Sequence, residues 1–173
     1  MLPVGSTVRF LTILERYKKN FSYVLFHGIT LFMLIDDIIK EKISADHLLY
    51  VSLKYTKTCD VILNLLLRWK IMIDTSFEFL IHRIGKKWKP VPDAPRAKLL
   101  QLRKVYAHEP LVIEALELYE FFRDIEQLDK IRENEFRKGV NLKVQYKGST
   151  VNINLEQLAT YSQILERFIS YLK

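Results

Sequence analysis

Residues 110–125 read PLVIEALELYEFFRDI, and within them Leu111, Ala115, Leu118, Phe122 and Ile125 recur at steps of four and three. Glu114, Glu117, Glu120 and Asp124 take the other faces, so the stretch is an amphipathic helix with one side for a core and one for water. Gly139 supplies its stop. Pro110 has no amide donor and disfavours helical backbone at Glu109, which makes it the first position of this helix. A preceding helix from about Arg96 must therefore end near Ala107, leaving His108 at the junction. Upstream of that, Gly85 closes a helical block, and Pro90, Pro92 and Pro95 keep the following residues out of regular helix.

Ser44 can cap a helix that carries Leu48, Leu49, Val51, Leu53, Val61, Ile62, Leu65 and Leu66, and Thr75-x-x-Glu78 has the form of a capping box. Whether this block is one long helix or two stays open. Earlier helices are expected over about Thr7–Lys19 and Ser22–Lys42. Downstream, Leu142, Val144 and Tyr146 alternate with Asn141, Lys143 and Gln145; Lys147-Gly148-Ser149 can turn; Val151 and Ile153 alternate with Asn152 and Asn154. That pattern is a β-hairpin over about 141–154, and Asn154-x-x-Gln157 opens a terminal helix. The fold class is mainly α: a helical bundle in one domain spanning 1–173, with a helical body over about 7–138, then the hairpin and the last helix over 141–173.

The chain is long enough for one packed core, with 173 residues of which 49% are hydrophobic, and its few glycines and prolines exclude fibrous or wholly disordered classes. The uncharged run Asn20–Ile35 is shorter than a spanning helix requires and holds Asn20, Ser22, His27, Gly28 and Thr30, so it reads as a buried helix. Met1–Ser6 lacks the basic start of a secretory signal, and the single Cys59 forms no internal disulfide or Cys-x-x-Cys metal knuckle. A reduced, cytoplasmic setting without membrane contact is expected. Cys59 reads as a small core residue, and His27, His47 and His82 share no ligand spacing. No metal or cofactor is expected. Phosphate-binding glycine loops, Gly-x-Ser-x-Gly and the zincin histidine pair are all missing, which removes nucleotide-loop, serine-hydrolase and zinc-protease chemistry.

Charge is segregated. Between Arg83 and Lys104 stand Arg83, Lys86, Lys87, Lys89, Arg96, Lys98, Arg103 and Lys104 against Asp93 alone, an excess that equals the net +7 of the whole chain. Glu109–Glu135 follows with nine acids and three bases. A confined basic field suits a polyanion such as nucleic acid, although a solvated loop between two solvated helix faces would have the same composition.

Within the basic block lies Leu102-Arg103-Lys104-Val105-Tyr106-Ala107-His108-Glu109-Pro110. An arginine followed after four residues by an Ala-His pair, ahead of a long amphipathic helix, resembles the Arg-x(4–6)-His motif of the HEPN superfamily of small helical domains. The resemblance implies a homodimeric, metal-independent endoribonuclease of toxin–antitoxin or antiviral defence systems, with Arg103 and His108 catalytic, RNA as substrate, and an antitoxin or nucleotidyltransferase as partner class. The sequence departs from the motif at Lys104, where Asn, Asp or His is common, and Pro110 replaces the tyrosine that some toxin members carry two residues after the histidine.

The two residue types fit the implied chemistry. A histidine takes or gives a proton near neutrality, and an arginine fork holds phosphate oxygens as negative charge builds on them. Five steps along an ideal helix would set Arg103 and His108 about 140° apart, so a shared site depends on the break before Pro110. Lys86, Lys87, Trp88, Lys89, Arg96, Lys98, Lys104 and Tyr106 would bind RNA by phosphate contact and base stacking. Two alternatives keep the fold and drop the catalysis: a module that binds RNA, a nucleotide or a nucleotidyltransferase, and a helical scaffold subunit. For Arg103 and His108 the plain alternative is an ion-paired arginine and a helix-end histidine; for Trp88 it is an indole packed beneath its own loop.

Overall fold

In the computed structural model the chain is described over residues 28–84 and 94–173. The expected first helix, the start of the second, and the Lys86-Lys87-Trp88-Lys89 stretch lie outside the described residues. Helix α1 covers 28–47, passes through a π-helical segment Leu48–Ser52 and closes with the turn Leu53–Tyr55. Then come α2 (Cys59–Ile84), α3 (Pro95–Val105) and α4 (Pro110–Asp124). Strands β1 (Lys130–Glu133), β2 (Asn141–Tyr146) and β3 (Ser149–Ile153) precede α5 (Leu155–Leu172). The protein is mainly helical, with a small antiparallel sheet ahead of the C-terminal helix.

Helices α2, α4 and α5 form the centre. Trp69 of α2 stacks on Phe122 of α4 at 6.0 Å, Phe77 meets Tyr119 at 5.3 Å and Phe168 of α5 at 6.2 Å, and Tyr161 sets its edge on Phe122 at 5.5 Å. Such stacked and edge-on contacts add to the burial of large apolar area. The strands form a β1-β2-β3 meander, with Leu142 opposite Ile153 and Val144 opposite Val151. Leu142, Val144 and Ile153 are buried, so the alternation read from the sequence does select the face that meets the helices. Lys147 and Gly148 at the β2–β3 turn both take positive φ, +50° and +80°, the combination a tight two-residue turn between twisted strands needs.

Five expectations change. Ser44 is interior to α1, not a cap. The break falls instead at Thr56–Thr58, where Lys57 adopts φ +45° and Thr58 accepts from the Val61 amide. Thr75 also lies inside one uninterrupted helix: its hydroxyl donates back to the Ile71 carbonyl at 3.0 Å, satisfying itself without opening a new helix. The α4 helix ends at Asp124, well before Gly139, because the Lys130 ammonium donates to the carbonyls of Ile125, Glu126 and Leu128 at 2.7–2.9 Å and closes the C-terminus. This leaves Lys130–Glu133 to pair as a third strand where a hairpin of two was expected. The run through Ile35 is helical from residue 28, but only Leu31, Leu34 and Ile35 lean on the core, whereas Ile29, Phe32 and Met33 are exposed, because a helix packed on one side turns its other side outward. Among the described residues no helix is long and apolar enough to cross a membrane.

Candidate nucleic-acid interface

Helix α3 begins at Pro95, whose missing amide suits a first turn, and is anchored inward by two buried side chains, Leu99 and Leu102. Steps of four and three along the helix then bring Arg96, Leu100 and Arg103 onto a neighbouring face. That face walls a cleft of about 260 Å³. The opposite wall is the C-terminal end of α4, with Glu120, Arg123 and Asp124, and the third is the β2–β3 turn, with Tyr146 and Lys147. Four cations therefore meet two carboxylates in one concavity.

The carboxylates hold the cations in place without matching their number. Glu120 accepts from Arg103 at 3.2 Å and lies 3.9 Å from the Lys147 ammonium; Asp124 accepts from Arg123 at 2.9 Å. Lys147 also sits 4.9 Å above the Tyr146 ring, a cation–π contact. Tyr146 is braced from behind by Phe121 at 4.8 Å. A phosphate entering this cleft meets arginine forks that are already oriented.

The structure distributes the expected site residues unevenly. Arg96 and Arg103 share the cleft. The Lys98 ammonium turns to α2 and pairs with Glu78 at 2.7 Å. Lys104 is exposed on the last turn of α3. Tyr106 caps α3 and packs half-buried against the core, where burial raises its phenol above the ordinary range. His108 is exposed in the turn between α3 and α4, with Glu109 extended and Pro110 opening α4, so the break read from the proline is present.

That break does not bring Arg103 and His108 onto one partner. The Arg103 guanidinium is held by Glu120, near the C-terminal end of α4. His108 adjoins Pro110 at the opposite end, and ten helical residues between Pro110 and Glu120 span about 15 Å. His108 does not line the cleft.

Arg123, Tyr146 and Lys147 complete the cleft and were not singled out from the sequence. The signal for Lys147 was its place in a Lys-Gly turn beside a strand-end aromatic, a spot where a cation must project outward. Cys59 is buried, with its thiol pushed up chiefly by that burial, and no group of metal-ligating side chains occurs among the described residues. His47 is exposed on α1 and His82 partly buried on α2; His27 lies outside the described residues. Compared with family models, with curated proteins and with solved structures, the chain gives no match.

Proposed function

We propose that this protein binds single-stranded RNA, laying the phosphate backbone along the cleft between α3, the end of α4 and the β2–β3 turn. The observation that carries this reading is the convergence of Arg96, Arg103, Arg123 and Lys147, from three separate elements, on one cavity bordered by Tyr146. Arginine forks take phosphate oxygens two at a time, and the Tyr146 ring, once Lys147 swings from it to a phosphate, gives a base a surface to stack on. The test is binding of labelled single-stranded RNA across a salt series. The logarithm of affinity should fall linearly with that of salt, with a slope of about −0.7 for each phosphate engaged. Replacing Arg96 and Arg123 together by alanine should lower affinity at least about tenfold at low salt and flatten the slope by about one. No binding at low salt would overturn the reading in favour of a helical scaffold, and undiminished binding by that double variant would overturn this cleft as the RNA site.

A second reading, metal-independent cleavage of the RNA so held, is favoured by the exposure of His108 in the turn that follows Arg103. In that chemistry an imidazole removes the proton from the ribose 2′-hydroxyl, the freed oxygen attacks phosphorus, and an imidazolium returns a proton to the departing 5′-oxygen. A 2′,3′-cyclic phosphate remains. Because Arg103 and His108 stand toward opposite ends of α4, this reading requires a second copy of the chain to complete the pair. Cleavage in EDTA that leaves a cyclic phosphate, rises with the square of protein concentration and vanishes in His108→Ala and Arg103→Ala would support it. Full cleavage by either variant would reject it.

A further inference from the structure

Tyr146 has two faces to serve. On one side is the cationic cleft; on the other, a second cavity of about 250 Å³ opens between α4, β3 and α5. Its interior is apolar and aromatic, built on Phe121, Val151 and Tyr161, with Phe121 within 6.3 Å of Tyr161 as well as against Tyr146. Its polar rim is acidic, formed by Glu114 and Glu117 on α4. Glu114 is engaged by Arg167 at 3.2 Å, whereas Glu117 is exposed. A single side chain thus separates a place for phosphate from an apolar concavity with a carboxylate at its mouth.

The chemistry of that slot selects its occupant. A cavity of this size is below the range typical of drug-sized ligands but has room for one ring system. The apolar lining favours the body of a heterocycle laid against Val151 and Ile164, and the acidic rim favours hydrogen-bond donors along the edge of the ring. Guanine alone among the RNA bases carries two adjacent donors, N1–H and the exocyclic amine, on its Watson–Crick edge, and these match the two oxygens of one carboxylate. Adenine and cytosine each set an acceptor beside their single amine, which a carboxylate repels; uracil flanks its one donor with two acceptors.

We infer that the cavity beyond Tyr146 is a guanine-selecting base pocket, Glu117 accepting from the base edge while the neighbouring arginine cleft holds the adjoining phosphate. This inference rests on the RNA-binding reading and adds to it a base preference. The experiment compares short oligouridines carrying one internal guanosine, inosine or adenosine. Guanosine should bind roughly tenfold more tightly than adenosine, the discrimination expected of one good bidentate pair, with inosine, which lacks the exocyclic amine, between them. Glu117→Gln should collapse the guanosine-to-adenosine ratio toward one, whereas Arg123→Ala should lower both affinities and preserve the ratio. Equal affinity for all three oligomers, or a preference unchanged by Glu117→Gln, overturns the pocket while RNA binding stands. Absence of binding to every oligomer at low salt overturns both.

Discussion

Helices α2 and α3 pack against the same α4 helix in opposite ways. From α2, Ile62, Leu65, Leu66, Trp69, Met72, Ile73, Phe77 and Leu80 are all buried, so nearly every turn of that helix is committed to the interior. Helix α3 commits Leu99 and Leu102 alone. The difference explains where the chain can afford a concentration of cations. Side chains on α2 carry the stability; on α3, two leucines hold the helix while the remaining positions are left open to charge.

The sharpest way to break that comparison is Trp69→Ala, which removes the ring stacked on Phe122 and should cost about 3–5 kcal/mol in chemical denaturation. Leu102→Ala comes next. It should cost about 2–3 kcal/mol, less than the tryptophan because α3 can resettle over the space, and it should also weaken RNA binding as the cleft wall shifts. Equal losses for the two variants would mean that α3 belongs to the core after all.

Tyr119 links α2 to α4 through its hydroxyl, which donates to Asp74 at 3.1 Å, and Tyr119→Phe should cost about 1 kcal/mol near neutral pH. Burial, reinforced by the Asp74 carboxylate, pushes this phenol up to about 12 from its ordinary 10. The unfolded chain therefore loses the proton first. The stability contributed by the neutral phenol is present in full below pH 10 and is lost as pH climbs through about 12. Denaturation midpoints across that window should fall more steeply for the native protein than for Tyr119→Phe. The smallest effect on stability belongs to Arg103→Ala, under about 0.5 kcal/mol, since its pair with Glu120 is partly solvated. Its affinity for RNA should nevertheless drop several-fold, separating the binding face from the scaffold.

Much of this fold is legible in the sequence wherever local chemistry decides it. The 3.6-residue period defines α4, Pro110 fixes its start, and the Asn154 side chain does accept from the Gln157 amide at 2.9 Å to open α5. Strand β1 was hidden because Lys-Ile-Arg-Glu is short and charged. Ile131 is exposed there, and only pairing with β2 makes the segment a strand. The break after α1 contains no glycine or proline: it is made by Lys57 in a left-handed conformation, for which a lysine gives no cue. A usable one stood next to it, since Thr58 followed by Asp60 has the form of a helix start. For the candidate site, the basic block showed that α3 would be cationic. It did not show that Arg103 would be drawn to Glu120, because that depends on how α3 crosses α4, and Lys147 joins only once the β2–β3 turn has been laid against the end of α4.

The start of α2 has one more consequence. Its first amide, at Cys59, is satisfied by the Glu135 carboxylate at 2.9 Å, and the carbonyl of Lys57 accepts from Phe136. Both partners come from the link between β1 and β2, more than seventy residues later in the chain. During synthesis, then, the longest helix of the described core leaves the ribosome with its leading end unfinished, and it acquires its lid only once Glu135 and Phe136 have emerged.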